Sequence, residues 1–70
     1  MSANNQLVIA LREGKFKAFD LCIEDERSYD EQFEGKTPKF EANDLREALV
    51  MAQKYCEENI VEYNYLFVNY

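Results

Sequence analysis

Residues 42–59 read Ala42-Asn43-Asp44-Leu45-Arg46-Glu47-Ala48-Leu49-Val50-Met51-Ala52-Gln53-Lys54-Tyr55-Cys56-Glu57-Glu58-Asn59. Leu45, Ala48, Leu49, Ala52, Tyr55 and Cys56 recur at steps of three and four, so an α-helix gathers them into one stripe. Asp44 is a good N-cap, and Glu47 three residues later completes a capping-box pattern. Asn59 is suited to end the helix, because asparagine tolerates a left-handed turn. With Leu45 setting the buried direction, Val50 lies about 140° away at 100° per residue. That places it on the outer face among Arg46, Gln53 and Glu57. No other segment has this periodicity, so the chain has one helix and several strands that must pack on it.

After the helix, residues 60–70 are nearly all β-branched or aromatic apart from Glu62, Asn64 and Asn69, and read as a strand. Val61, Tyr63, Tyr65 and Phe67 share one face, Leu66, Val68 and Tyr70 the other. Before it, Lys39 to Ala42 reads as a short strand with Phe40 and Ala42 pointing the same way, behind the turn-like Gly35-Lys36-Thr37-Pro38. Residues 1–5 are small, polar and expected to fray. Gln6 to Arg12 is a strand with Leu7, Ile9 and Leu11 on one face and Val8 and Ala10 on the other. Glu13-Gly14 is a two-residue hairpin connection. Lys15 to Glu24 returns, but its apolar positions switch parity: Phe16 and Ala18, then Phe19, Leu21 and Ile23. Either a β-bulge near Ala18-Phe19 restores the face, or both faces of this strand are partly covered, by a second copy for example.

The expected fold is therefore α+β, a single domain over residues 1–70. It has a three- or four-stranded antiparallel sheet with one α-helix across one face, in the order β-β-(β)-α-β. Ala48 and Ala52 let the helix approach closely. The opposite face, with Val8, Ala10, Leu66 and Val68, is left free, and such a face usually marks a partner or self-association surface.

The bulk numbers bound what such a domain does. A chain of 70 residues buries only about 60% of its unfolded surface. The net charge of −6 favours solubility and basic partners and repels phosphates and membrane surfaces. No apolar run follows Met1-Ser2-Ala3-Asn4-Asn5 and nothing approaches transmembrane length, so a cytoplasmic protein is expected. Cys22 and Cys56 are too few and too far apart for a metal knuckle. They read as two reduced core thiols, with a strand-to-helix bridge as the alternative.

Enzyme chemistry finds little footing. Histidine is absent, and Ser2, Ser28 and Thr37 have no candidate base at a recognisable spacing. Gly14 and Gly35 cannot make a phosphate-cradling loop, and no calcium-loop pattern is present. No catalytic residue, cofactor or metal ligand is expected. Tyr63, Tyr65 and Phe67 could form a base-stacking platform, with Arg12, Lys15 and Lys17 touching phosphate. The net charge has the wrong sign for that, and the same aromatics serve equally as core, so direct nucleic-acid binding is not expected.

What stands out is residues 24–34. Glu24, Asp25, Glu26, Asp30, Glu31 and Glu34 face the single base Arg27, a local net of −5 out of −6 for the whole chain. Tyr29 and Phe33 are embedded among them as candidate anchors for a protein partner with a basic surface. An ordinary solvated loop, its two aromatics folded back on the core, is the alternative.

This acidic run, together with the lead-in Phe40-Glu41-Ala42-Asn43-Asp44-Leu45-Arg46-Glu47-Ala48, resembles the general plan of small phage-encoded inhibitors of bacterial defence. These are the anti-CRISPR and DNA-mimic anti-restriction proteins. The resemblance implies a non-enzymatic inhibitor in the host cytoplasm that occupies the nucleic-acid-binding surface of a defence complex, and it carries over no individual residue. The alternative is a small structural or accessory subunit that buries its free sheet face in a homodimer or host complex.

Overall fold

A computed structural model describes residues 4–69. Strands β1 (Asn5–Arg12) and β2 (Lys15–Cys22) form the predicted hairpin. Glu13 and Gly14 both have positive φ, 54° and 76°. That sense matches the natural twist of a two-residue hairpin. Asn5 is part of β1 and Asn4 C=O accepts from Ile23 N–H at 3.0 Å, so the fraying expected over residues 1–5 is not found at these two, and residues 1–3 lie outside the described residues.

The hairpin register runs unbroken from Arg12↔Lys15 to Asn5↔Cys22, so the bulge expected near Ala18-Phe19 is absent. Both faces of β2 are covered instead, and by the chain itself. A one-turn helix, α1 (Tyr29–Phe33), lies over the face that carries Phe19 and Leu21. The long helix α2 (Leu45–Glu58) covers the other, where Ala18 is fully buried and Phe16 packs beside it. The parity switch along β2 marks the change from one cover to the other.

Strand β3 (Phe40–Ala42) adds to the free side of β2, antiparallel, with Phe16↔Ala42 and Ala18↔Phe40. Strand β4 (Tyr65–Asn69) adds beside β1, parallel to it, with Leu7↔Tyr65 and Ile9↔Phe67. The sheet is four-stranded in the order β3-β2-β1-β4. It is mixed, where an all-antiparallel sheet was expected. The reason is the helix between β3 and β4. Two antiparallel steps make β3 parallel to β1, and α2 then carries the chain back along the sheet, so β4 enters in the same sense.

Asp44 caps α2 as predicted, its Oδ1 accepting from Glu47 N–H at 2.8 Å. Asn59 ends the helix in extended geometry, not the left-handed turn expected; its backbone N–H and Nδ2 both donate to Tyr55 C=O, at 2.9 and 3.0 Å. Ala48 and Ala52 are fully buried at the centre of the contact. Leu45 does not set the buried direction. It is 53% exposed at the first helical residue, where it borders an open hollow with Leu11, Phe16 and Phe67. Val50 is exposed on the outer face, as predicted.

The last strand is shorter than its composition implies. Ile60 is exposed and Asn64 takes a left-handed φ of 63°, so the chain turns through residues 60–64 before β4 begins. Asn5 holds this turn. Its Nδ2 donates to Ile60 C=O at 2.9 Å, its Oδ1 accepts from Glu62 N–H at 3.1 Å, and its C=O accepts from Tyr63 N–H at 3.2 Å.

Two cores result. Leu7, Ile9, Ala18 and Ala52 form the first, joined by Phe16, Phe40, Tyr55, Cys56, Val61, Tyr65 and Phe67. Val8, Phe19 and Leu21 form the second, joined by Tyr29, Phe33 and Val68. The face expected to be free is thus covered at Val8 and Ala10, both buried, while Leu66 on β4 remains 39% exposed.

Candidate functional site

The acidic segment begins with a turn in which Asp25 N–H donates to Cys22 C=O at 3.2 Å. Asp25 then holds Arg27: its Oδ1 accepts from Arg27 N–H at 3.0 Å and Nε at 2.9 Å, and its Oδ2 from Nη2 at 2.6 Å. The side-chain hydrogen bond from Arg27, helped by its backbone N–H, lowers the Asp25 pKa to about 2. Arg27 C=O in turn accepts from Gln32 Nε2 at 2.6 Å. Gln32 is the buried polar residue of the described chain, 6% exposed, and its bond to Arg27 braces the turn that leads into α1.

Ser28 caps α1, its Oγ accepting from Glu31 N–H at 3.4 Å. Asp30 and Glu31 occupy the first turn, where the free N–H groups favour negative charge. Gly35, at φ 75°, reverses the chain after the helix, and Lys36 N–H returns to Phe33 C=O at 3.0 Å. Only a residue comfortable in the left-handed region makes this reversal without strain.

The aromatics face inward. Phe33 stacks on Phe19 with ring centroids 4.3 Å apart, and Tyr29 stacks on Phe33 at 5.7 Å. Offered by the sequence as anchors for a partner, Tyr29 and Phe33 are half-buried anchors for the segment itself. The acids face outward: Glu24, Glu26, Asp30, Glu31 and Glu34 are all exposed, and Asp25 is committed to an ion pair with Arg27. Glu24 accepts from Asn4 Nδ2 at 2.7 Å. Asp30 and Glu34 border a hollow of about 250 Å³ that they share with Arg12 and Lys17 over Ala10, Phe19 and Phe33. The exposed charge is thus concentrated but not unopposed.

On the other face lies a cluster that sequence reasoning missed. Asp20 sits half-buried under the end of α2, where its Oδ2 accepts from Tyr55 Oη at 3.0 Å and its Oδ1 from Asn5 Nδ2 at 3.0 Å. Burial first, then the bond and charge of Asp20, push the Tyr55 pKa from 10.0 up to about 12. Burial and the same carboxylate push the Cys56 thiol up as well. Neither shift prepares a nucleophile, since a raised pKa keeps both groups protonated near neutrality. The cluster is structural, joining the hairpin to the helix end and to the turn at residues 60–63. The signal for it was Asp20 itself, a carboxylate at an inward position between Ala18 and Cys22.

Both cysteines are free, with Cys56 half-buried and Cys22 exposed. A core position for Cys22 is therefore wrong: it is the last residue of β2, at the sheet end where the acidic turn departs. The stacking platform is not assembled either. Tyr65 and Phe67 pack edge to face at 5.9 Å in the first core, while Tyr63 stands apart on the exposed turn. Among the described residues, no group of three or more His, Cys, Asp and Glu side chains is placed to hold a metal ion, and no helix is long and apolar enough to cross a membrane. The chain matches no protein family, no curated protein and no solved structure.

Proposed function

We propose that this protein is a non-enzymatic binding module whose exposed acids in residues 24–34 contact a basic protein surface. The observation that carries this reading is the way the segment is held. Tyr29 and Phe33 pack it against the sheet from below and Gln32 braces it internally, while Glu24, Glu26, Asp30, Glu31 and Glu34 remain exposed above. Carboxylates on an ordered segment meet a partner without the entropy cost of ordering a loop. Nucleic-acid-binding surfaces are strongly basic, so an inhibitor that covers one in a defence complex, of the anti-CRISPR or DNA-mimic kind, is the function this arrangement supports best.

The test is a salt titration of the complex captured by the immobilised protein, beside the combined change Glu24→Lys, Glu26→Lys, Glu31→Lys and Glu34→Lys. Asp25 is left in place because its carboxylate holds Arg27. Exposed charge contacts are screened within about 8 Å at physiological salt, so binding should weaken as salt rises and should be lost in the reversed protein. Affinity that is flat with salt and survives the reversal removes this reading. Leu66 favours a second one, an accessory subunit that covers β4 in a homodimer or host complex.

A further inference from the structure

The two edges of the sheet are built differently. At one edge β3 has three residues, follows Pro38 and Lys39, and carries Glu41; these are the usual devices that stop a sheet from growing. At the other edge, β4 reads Tyr65-Leu66-Phe67-Val68-Asn69, with no charge, no proline and no glycine. Between Asn59 and Asn69 the only charged residue is Glu62. Among the described residues, nothing pairs with the outer side of β4.

The inner side fixes which groups point outward. Leu7 is in register with Tyr65 and donates its N–H to Asn64 C=O at 3.1 Å. A parallel ladder bridges the residues before and after the one in register, so Leu7 and Ile9 take up the backbone of Asn64, Leu66 and Val68. The N–H and C=O groups of Tyr65, Phe67 and Asn69 are therefore turned to the open edge.

We propose that a second copy of this chain pairs with that edge, β4 to β4, antiparallel about a two-fold axis at Phe67. The set is self-complementary. Tyr65 meets Asn69 of the second copy, and Phe67 meets Phe67, each as a hydrogen-bonded pair. On the α1 face, Leu66 meets Val68 of the second copy, covering the apolar side chain that α1 leaves exposed. Charge selects the same place: two chains of −6 repel wherever their carboxylates approach, and this strip has none. Pairing doubles the four-stranded sheet, and a two-fold axis normal to it sets both α1 helices on one side. The inference deepens the accessory-subunit reading and does not involve residues 24–34.

Sedimentation equilibrium of the whole chain across a concentration series, with amide hydrogen exchange at its two ends, tests it. A species of twice the 8.3 kDa chain should form on concentration and should not weaken with added salt. The amides of Phe67 and Asn69 should then gain protection, while those of Leu66 and Val68, bonded to β1, should be protected throughout. Asn69→Pro removes an outward N–H from an exposed residue and should weaken association about tenfold or more. A monomer at every concentration overturns both the edge pairing and the homodimer. A dimer that leaves the Phe67 and Asn69 amides exchanging freely overturns the edge pairing alone, whatever the proline variant does.

Discussion

The ring of Phe33 lies on the ring of Phe19, 4.3 Å between centroids and 21° from parallel, and this stack holds α1 on the second face of the sheet. Through it the acidic segment becomes part of the fold. Val8 and Leu21 would otherwise be open to water on that side.

Removing the stack should therefore cost stability as well as order in the segment. Phe33→Ala is expected to destabilise by about 1.5–3 kcal/mol, below the roughly 3–5 seen for fully buried phenylalanine because this ring is half-buried. Chemical denaturation measures it. A loss under about 0.5 kcal/mol, the size of a surface change, means α1 is not held by this contact.

Glu13 occupies a left-handed position, φ 54°, that asparagine and glycine adopt far more easily. Glu13→Asn should stabilise the protein by about 0.5–1 kcal/mol. The next residue gives the converse. Gly14 has φ 76° and open space around it, so Gly14→Ala should destabilise through backbone strain alone. Thermal melts of the two variants should move in opposite directions.

The Tyr55–Asp20 bond makes a prediction about alkaline stability. The folded-state pKa of Tyr55 is raised from 10.0 to about 12, so the stabilisation is complete below about pH 10 and is lost as pH climbs toward 12. Tyr55→Phe should cost about 0.5–1.5 kcal/mol near neutrality, the net worth of a typical hydrogen bond, and should flatten that decline. Denaturation midpoints at stepped pH, wild type beside variant, provide the check. Parallel curves for the two proteins would place the alkaline loss elsewhere.

The thiols should react in two phases. Cys22 is exposed and should label in the native state, whereas Cys56, half-buried with its pKa pushed up, should lag well behind. Equal rates, or no free thiol after unfolding without reductant, would contradict the free and unequal pair.

Where sequence and structure agree, the reason is local. The cap at Asp44, the stripe through Ala48 and Ala52 and the turn at Glu13-Gly14 each depend on residues within a few positions of one another. The parallel placement of β4 was legible in principle, since a helix between two strands is the connection that parallel strands need. Its short length was not, because the turn at residues 60–64 is imposed by Asn5, more than fifty residues away. The outward acids of the candidate site follow from charge. The inward turn of Tyr29 and Phe33 required knowing that Phe19 and Leu21 had no other cover, which no local pattern states.

The pairing Leu7↔Tyr65 joins nearly the first described residues to nearly the last. Contacts of such separation close late, because the entropy of the long intervening loop must be overcome first. While this chain is being synthesised, β1 can meet β2 early but has no neighbour on its other side. Until residues 65–69 leave the ribosome, Leu7 and Ile9 lack part of their cover and the β1 edge is bare. A chain shortened before Tyr65 should therefore remain in that half-built state, held by the hairpin and prone to aggregate.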